Sequence, residues 1–220
     1  MNSKVEARKS YPVEMLKHLP LLREYLRLLK AKRRLYVSAK HISRDLKISV
    51  DELVQEVSLI GIPCNANADF AVNPLIDAIE IFLGFHKKNM AFLIGTGPMA
   101  EAVITQLKCS ECGLQVLAAF DENVSGRTKL NGSDIEIFSI KKLKNLVERM
   151  HVNIGILATP ADKAQQHARL MEESGIDVIW NLSGYPLKTA ERTITENTDM
   201  AYDLARIFRK IREKDSKNIF

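Results

Sequence analysis

Apolar positions along the 220-residue chain follow two rhythms, and the change between them marks a domain boundary. From Pro12 to about Ala31, Leu16, Leu19, Leu22, Leu26 and Leu29 recur three or four apart, which predicts one buried face of a helix. Ser38 is placed to cap a second, short helix with Ile42 and Leu46 inward, and Lys47-Ile48 supplies the turn. Ser49 and Glu52 have capping-box spacing, so a third helix starts there and runs on Leu53, Val57 and Ile60 until Gly61 ends it. The tight turn between the second and third helices reads as a helix-turn-helix. The turn-rich stretch Ile62 to Val72, strand-like at Phe70-Ala71-Val72, has the length of a wing hairpin. Asn73 then caps a helix whose first residue is Pro74, with Leu75, Ile79, Phe82 and Leu83 inward and Gly84 at its end.

From Met90 onward short apolar strands alternate with helices. Strands are predicted at 90–94, 114–120, 135–138, 153–158 and 177–181, with helices starting near Pro98, Ile140 and Ala161. Such alternation implies a parallel sheet covered on both faces. A short strand at Thr193 to Glu196 precedes an amphipathic segment bearing Met200, Leu204, Ile207, Phe208 and Ile211, which has no further domain of this chain to pack on. The predicted class is α/β, with a winged helix-turn-helix domain over 1–84, a Rossmann-like domain over 85–197 and a C-terminal dimerisation helix over 198–220.

Charge sharpens this division. Residues 1 to 50 hold 13 Lys and Arg against 4 Asp and Glu, so the net charge of +5 conceals a basic first part and an acidic remainder. A local surplus of that size attracts polyanions and supports nucleic-acid contact; a solvated basic face is the simpler alternative. No stretch approaches the roughly 20 apolar residues of a membrane span, and the first residues carry no apolar signal core, so a cytoplasmic protein is expected. Cys64, Cys109 and Cys112 are too few for a disulfide framework, and the CxxC at 109–112 lacks the partners of a zinc site, so no metal is expected.

The most specific signal is a strand, Ala91 to Ile94, followed by Gly95-Thr96-Gly97-Pro98-Met99-Ala100, a GxGxxA turn into a helix. Gly95 permits the tight turn, Gly97 lets backbone approach a pyrophosphate, and Ala100 lets helix and strand pack closely. The helix N-terminus then offers free N–H groups and the positive end of its dipole to the phosphates, and Pro98 loses no helical hydrogen bond there. The strand Leu114 to Phe120 ends in Asp121, where an acidic residue reaches the adenosine ribose and disfavours a 2′-phosphate. NAD(H) is thus favoured over NADP(H) and over coenzyme A. The alternative, an Asp121 that caps the next turn, stays open. Strand-end position also nominates Ala158-Thr159-Pro160 and Asn181-Leu182-Ser183-Gly184 for the nicotinamide half, unless Thr159 only caps a helix and Gly184 only turns.

The residues resemble the Rex family of redox-sensing repressors in Leu19 to Leu29, Ser49 to Gly61, Gly95 to Val103, Phe120-Asp121, Ala158 to Gln165, Asn181-Leu182 and Glu196 to Met200. The resemblance implies a homodimer with the last helix swapped between protomers, operator DNA released when NADH binds, and a switch in which Asp199, near the nicotinamide, pairs with Arg27. This chain departs from the family at Val54-Gln55, where a basic pair is usual, in Pro63 to Asp69, where a basic Gly-rich wing is usual, and at Gln106, where a tyrosine is usual. DNA contact is therefore expected to rest on Ser38, Lys40, Arg44 and Lys47 at phosphates, with Gln55 at a base edge. An NADH-sensing relative that acts through a protein partner is the alternative. A dehydrogenase fits poorly, since about 30 residues follow the Rossmann unit and no His stands beside an acid or base partner at a strand end.

Overall fold

The computed structural model describes residues 12–105, 109–124, 128–198 and 200–217, and the chain divides into two compact units, Met1–Lys87 and Lys88–Phe220. The first unit contains α1 (Val13–Ala31), β1 (Tyr36–Ser38), α2 (Ala39–Leu46), α3 (Val50–Leu59), β2 (Asp69–Ala71) and α4 (Val72–Leu83). It is a winged-helix arrangement. Its core gathers Met15, Leu19, Leu22 and Leu26 of α1, Ile42 of α2, Leu53 and Val57 of α3, and Leu75, Ile76 and Ile79 of α4.

Three local expectations are corrected here. Leu16 faces solvent, and Met15 takes the inward place, because the buried face of α1 runs Met15, Leu19, Leu22, Leu26. The stretch from Ile62 does not fold back on itself as a hairpin; its strand, Asp69–Ala71, pairs antiparallel with Tyr36–Ser38. Val72, assigned to that strand from the sequence, instead opens α4, so Asn73 and Pro74 lie inside its first turn and Ala71 is the capping position. Pro74 is tolerated there because first-turn N–H groups have no helical acceptor.

Capping chemistry sets the other boundaries. The Ser49 hydroxyl accepts from the Glu52 N–H at 3.2 Å while the Glu52 carboxylate accepts from the Ser49 N–H at 3.0 Å, which completes the capping box of α3. Lys47, with φ of 56°, makes the left-handed turn between α2 and α3.

The second unit is a seven-stranded sheet with the order β5-β6-β4-β3-β7-β8-β9: β3 (Asn89–Ile94), β4 (Leu114–Asp121), β5 (Thr128–Lys129), β6 (Glu136–Ser139), β7 (Ile154–Leu157), β8 (Val178–Asn181) and β9 (Ile194–Asn197). All neighbours are parallel except β5, a two-residue edge strand antiparallel to β6. Alternate β3 residues feed opposite cores. Ala91 and Leu93 meet Ala100 and Val103 of α5 (Pro98–Thr105), whereas Phe92 and Ile94 lie among Leu143 and Val147 of α6 (Leu143–Met150) and Ala164, Ala168 and Met171 of α7 (Ala161–Glu173). The chain runs outward through β4 and β6, then crosses to the other side of β3 for β7, β8 and β9. That reversal leaves a crevice at the carboxyl ends of β3 and β7, where such sheets bind ligands. The unit closes with α8 (Met200–Lys217), along which Met200, Tyr202, Leu204, Ile207, Phe208 and Ile211 are all at least half exposed. Among the described residues no helix is long and apolar enough to cross a membrane.

Candidate functional site

The crevice takes its shape from backbone bonds that join the strand ends. The Gly95 N–H donates to the Phe120 carbonyl at 2.9 Å, and the Ala158 N–H donates to the Ile94 carbonyl at 2.8 Å. Gly95 holds φ of +109°, and a Cβ there would lie 2.4 Å from the Ala158 carbonyl oxygen, so both its conformation and its surroundings exclude a side chain. Gly97 is different. A Cβ on it would meet nothing within 4 Å, so the bare backbone borders open space.

A cleft of about 310 Å³ results, lined by Gly95, Thr96 and Gly97 from the turn after β3, Phe120 to Asn123 from the end of β4, Ala158 to Pro160 after β7, and Lys163 and His167 of α7. Asp121 is fixed on both oxygens. Its Oδ2 accepts from the Thr96 hydroxyl at 2.6 Å and its Oδ1 from the Asn123 N–H at 2.9 Å. The neighbouring Glu122 is held by two partners of α7: Lys163 Nζ donates to its Oε2, and its Oε1 lies 3.1 Å from His167 Nε2. Since an ionised carboxylate only accepts, the His167 proton belongs on Nε2. The Lys163 ammonium, with a smaller contribution from His167, holds the Glu122 carboxyl below its ordinary value, and Glu122 in turn raises Lys163. Two polar atoms of the lining, Thr159 Oγ1 and His167 Nδ1, are buried without a hydrogen-bond partner.

The sequence-nominated residues divide on this geometry. Gly95, Thr96, Gly97, Asp121, Ala158, Thr159 and Pro160 line one cleft. Pro98 and Met99 open α5 at the surface, while Ala100 is buried in the core beneath it, as close helix–strand packing requires. Asn181 and Leu182 are not in that lining. Asn181 is buried and committed to its own loop and to the end of β9: its Nδ2 donates to the Tyr185 carbonyl and to Asn197 Oδ1, and its Oδ1 accepts from the Ser183 N–H and hydroxyl. It shapes a second depression lined also by Gly184, Tyr185, Pro186 and Thr198. Gln106 and Asp199 lie outside the described residues. Glu122, Lys163 and His167 were not nominated from the sequence, and the expectation that no His stands beside an acid or base partner at a strand end is corrected by His167, which meets Glu122 directly after β4.

On the first unit, Lys40, Arg44, Lys47 and Gln55 are exposed, and Arg44 pairs with Asp45 at 2.9 Å. Ser38 caps α2, accepting from the His41 N–H at 3.3 Å. Arg27 is half-buried and reaches Glu24 at 3.5 Å. Burial, then the hydrogen bond to Asp45, pushes the Tyr25 phenol up to about 12, so it stays a donor to that carboxylate at 2.8 Å. The recognition-helix position α3 carries Asp51 and Glu52 outward and buries Glu56 against His18 at 2.7 Å.

Comparison with known proteins fits both units. The "CoA binding domain" family profile matches residues 86–184. A redox-sensing transcriptional repressor Rex of Bacteroides fragilis is 31% identical over 214 residues, covering 96% of each chain. This chain belongs to the Rex family of redox-sensing transcriptional repressors. The Bacteroides thetaiotaomicron Rex is 29% identical over 94% of this chain and 93% of its own. Among solved structures, RSP, a Rex-family repressor, superposes with a TM-score of 0.80 at 22% identity over 97% of this chain and all of its own. RSP in complex with NAD+ and operator DNA superposes with 0.81 over 96% and 97%.

Proposed function

We propose that the chain works as a homodimer that holds operator DNA when NADH is scarce and releases it when NADH binds, acting as a cytoplasmic sensor and not as an enzyme. The observation that carries this reading is the meeting of the Gly95–Gly97 turn with the Asp121 carboxylate in one cleft at the sheet's switch point. The cleft fits a dinucleotide in three respects: open space over Gly97 for phosphates, a carboxylate for ribose hydroxyls, and a buried Thr159 hydroxyl that lacks a partner until a ligand offers one. In this assignment Thr96, Pro98, Met99 and Ala100 position the phosphate turn and helix, and Ala158, Thr159 and Pro160 border the centre. Asn181 and Leu182 support the nicotinamide end through their loop, and Arg27, Gln106 and Asp199 form the switch.

The two redox forms share phosphates and riboses and differ by one positive charge and by ring planarity, so a less polar nicotinamide pocket separates them by desolvation. A ligand shifts two conformations only by its preference between them, which makes that difference the whole of the signal. The exposure of Met200, Leu204, Ile207, Phe208 and Ile211 along α8 supports dimerisation through a swapped helix, with domain limits at 84 and 197. Ser38, Lys40, Arg44 and Lys47 serve the DNA backbone, and exposed Gln55 reads a base edge.

Two measurements test this together. Energy transfer from the single tryptophan, Trp180, reports NADH binding, with NAD+ and NADPH as competitors. Gel shift of the gene's own upstream DNA against scrambled DNA, at two salt concentrations with and without NADH, reports the output. DNA retained at low salt and released by NADH is the expected result. If no DNA binds at low salt, or NADH changes nothing, the repressor reading fails and action through a protein partner replaces it.

A further inference from the structure

The cleft holds a contact that its phosphate turn and ribose carboxylate do not need. Glu122 leaves β4 directly after Asp121, Lys163 stands in the first turn of α7, and the two join across 41 residues of sequence while both line the cleft. The side chain of Glu122 is 29% exposed and that of Lys163 41%, so the pair sits at the mouth, in partial contact with solvent. His167, one turn further along α7 and only 5% exposed, occupies the other Glu122 oxygen. Among the described lining residues Lys163 is the one ammonium. It stands beside two carboxylates, Asp121 and Glu122, and its hydrogen bond goes to the second of them.

We propose that Glu122 is a specificity-determining residue that works by sequestering Lys163, so that the ribose end of the cleft presents uncompensated negative charge and rejects a 2′-phosphorylated dinucleotide. The inference rests on the dinucleotide reading above. A 2′-phosphate wants a charge-assisted donor, and among the described lining residues Lys163 is the ammonium that could serve; while Glu122 holds it, the phosphate meets a paired ammonium and the Asp121 carboxylate. His167 serves as a positioning residue, since it fixes the carboxylate oxygen that Lys163 does not use. Because the pair is partly exposed, solvent screens its charge; even so, unit charges about 4 Å apart interact more strongly near a protein surface than in bulk water, so a change of about tenfold in affinity is the expected scale.

The test uses the full chain and a double-mutant cycle. Affinities for NADH and NADPH are measured by fluorescence titration on the unmodified protein, Glu122→Gln, Lys163→Met and the double variant, with thermal melting of each to confirm folding. Gln keeps an acceptor for His167 while releasing the ammonium. The expected result is that Glu122→Gln lowers the NADH-over-NADPH preference by about tenfold, and that Lys163→Met removes this gain in the double variant. A fall of about threefold or more that Lys163→Met abolishes supports the proposal. A smaller fall, or one that persists in the double variant, overturns it while leaving NADH binding intact as a separate result. Failure of the unmodified protein to bind either dinucleotide would instead refute the reading on which the proposal stands.

Discussion

Replacing each of two glycines by alanine separates the part of the turn that serves folding from the part that serves a ligand. At Gly95 a methyl group meets two penalties: φ of +109°, and a contact of 2.4 Å with the Ala158 carbonyl oxygen, which is backbone and can move only with β7. Left-handed strain and displaced packing together amount to about 3 kcal/mol, or roughly 6–12 °C in the melting midpoint for a chain of this size. At Gly97 no atom lies within 4 Å of the added methyl and no left-handed conformation is required, so stability should stay within about 1 kcal/mol of the parent. The same methyl occupies the space over which a pyrophosphate would approach. Loss of one charge-assisted hydrogen bond to backbone, about 1.5–3 kcal/mol, weakens NADH roughly ten- to hundredfold. Differential scanning fluorimetry without ligand and NADH titration at about 25 °C measure the two effects on the same samples. A Gly97→Ala variant that binds NADH like the parent, or a Gly95→Ala variant that melts with it, would show that the turn does not divide its labour this way.

Three further outcomes are expected. His18→Leu leaves the buried Glu56 carboxylate unpaired and should cost about 3 kcal/mol in urea unfolding, most of which returns when Glu56→Leu is added. Ser49→Ala should cost about 1 kcal/mol by removing the cap of α3. Because the Ser49 hydroxyl and then its N–H hold the Glu52 carboxyl below its ordinary value, that side chain's contribution is present above about pH 4.5 and fades as pH falls through the lower folded value. The variant should therefore lose less stability on acidification than the parent. Ending the chain at Asn197 removes the exposed stripe of α8 and should convert dimers to monomers or aggregates in sedimentation; a truncated chain that remains a stable dimer refutes the assignment of α8.

Features encoded within a few residues are legible in the amino-acid sequence alone. The Ser49–Glu52 box, the Lys47 turn and the Gly95–Ala100 turn depend on neighbours three to five positions away, and each stands where periodicity and capping rules put it. Features that depend on distant partners are not legible in this way. Tyr36–Ser38 is three residues long and becomes a strand through Asp69–Ala71, and Thr128–Lys129 through Glu136 and Ile137. In α1 a leucine and a methionine adjoin, and only packing decides that Met15 goes inward. Asp121 is legible because it ends a strand at a fixed distance from the glycines. Glu122, Lys163 and His167 meet across two loops; only Glu122 directly follows a strand, while Lys163 and His167 lie one turn apart on the helix that follows β7, so no local pattern joins them.

Asp121 is held before any ligand arrives. The Thr96 hydroxyl and the Asn123 N–H fix its rotamer, so the ribose recognition proposed for Asp121 would start from an ordered carboxylate, with little side-chain freedom left there to lose. An unrestrained side chain would forfeit about 0.5–1.5 kcal/mol on immobilisation. Thr96 thus transfers an entropic charge from the binding step to the folding step. In calorimetry, Thr96→Val should make NADH association less favourable in entropy more than in enthalpy, a signature belonging to preparation of the site and not to contact with the ligand.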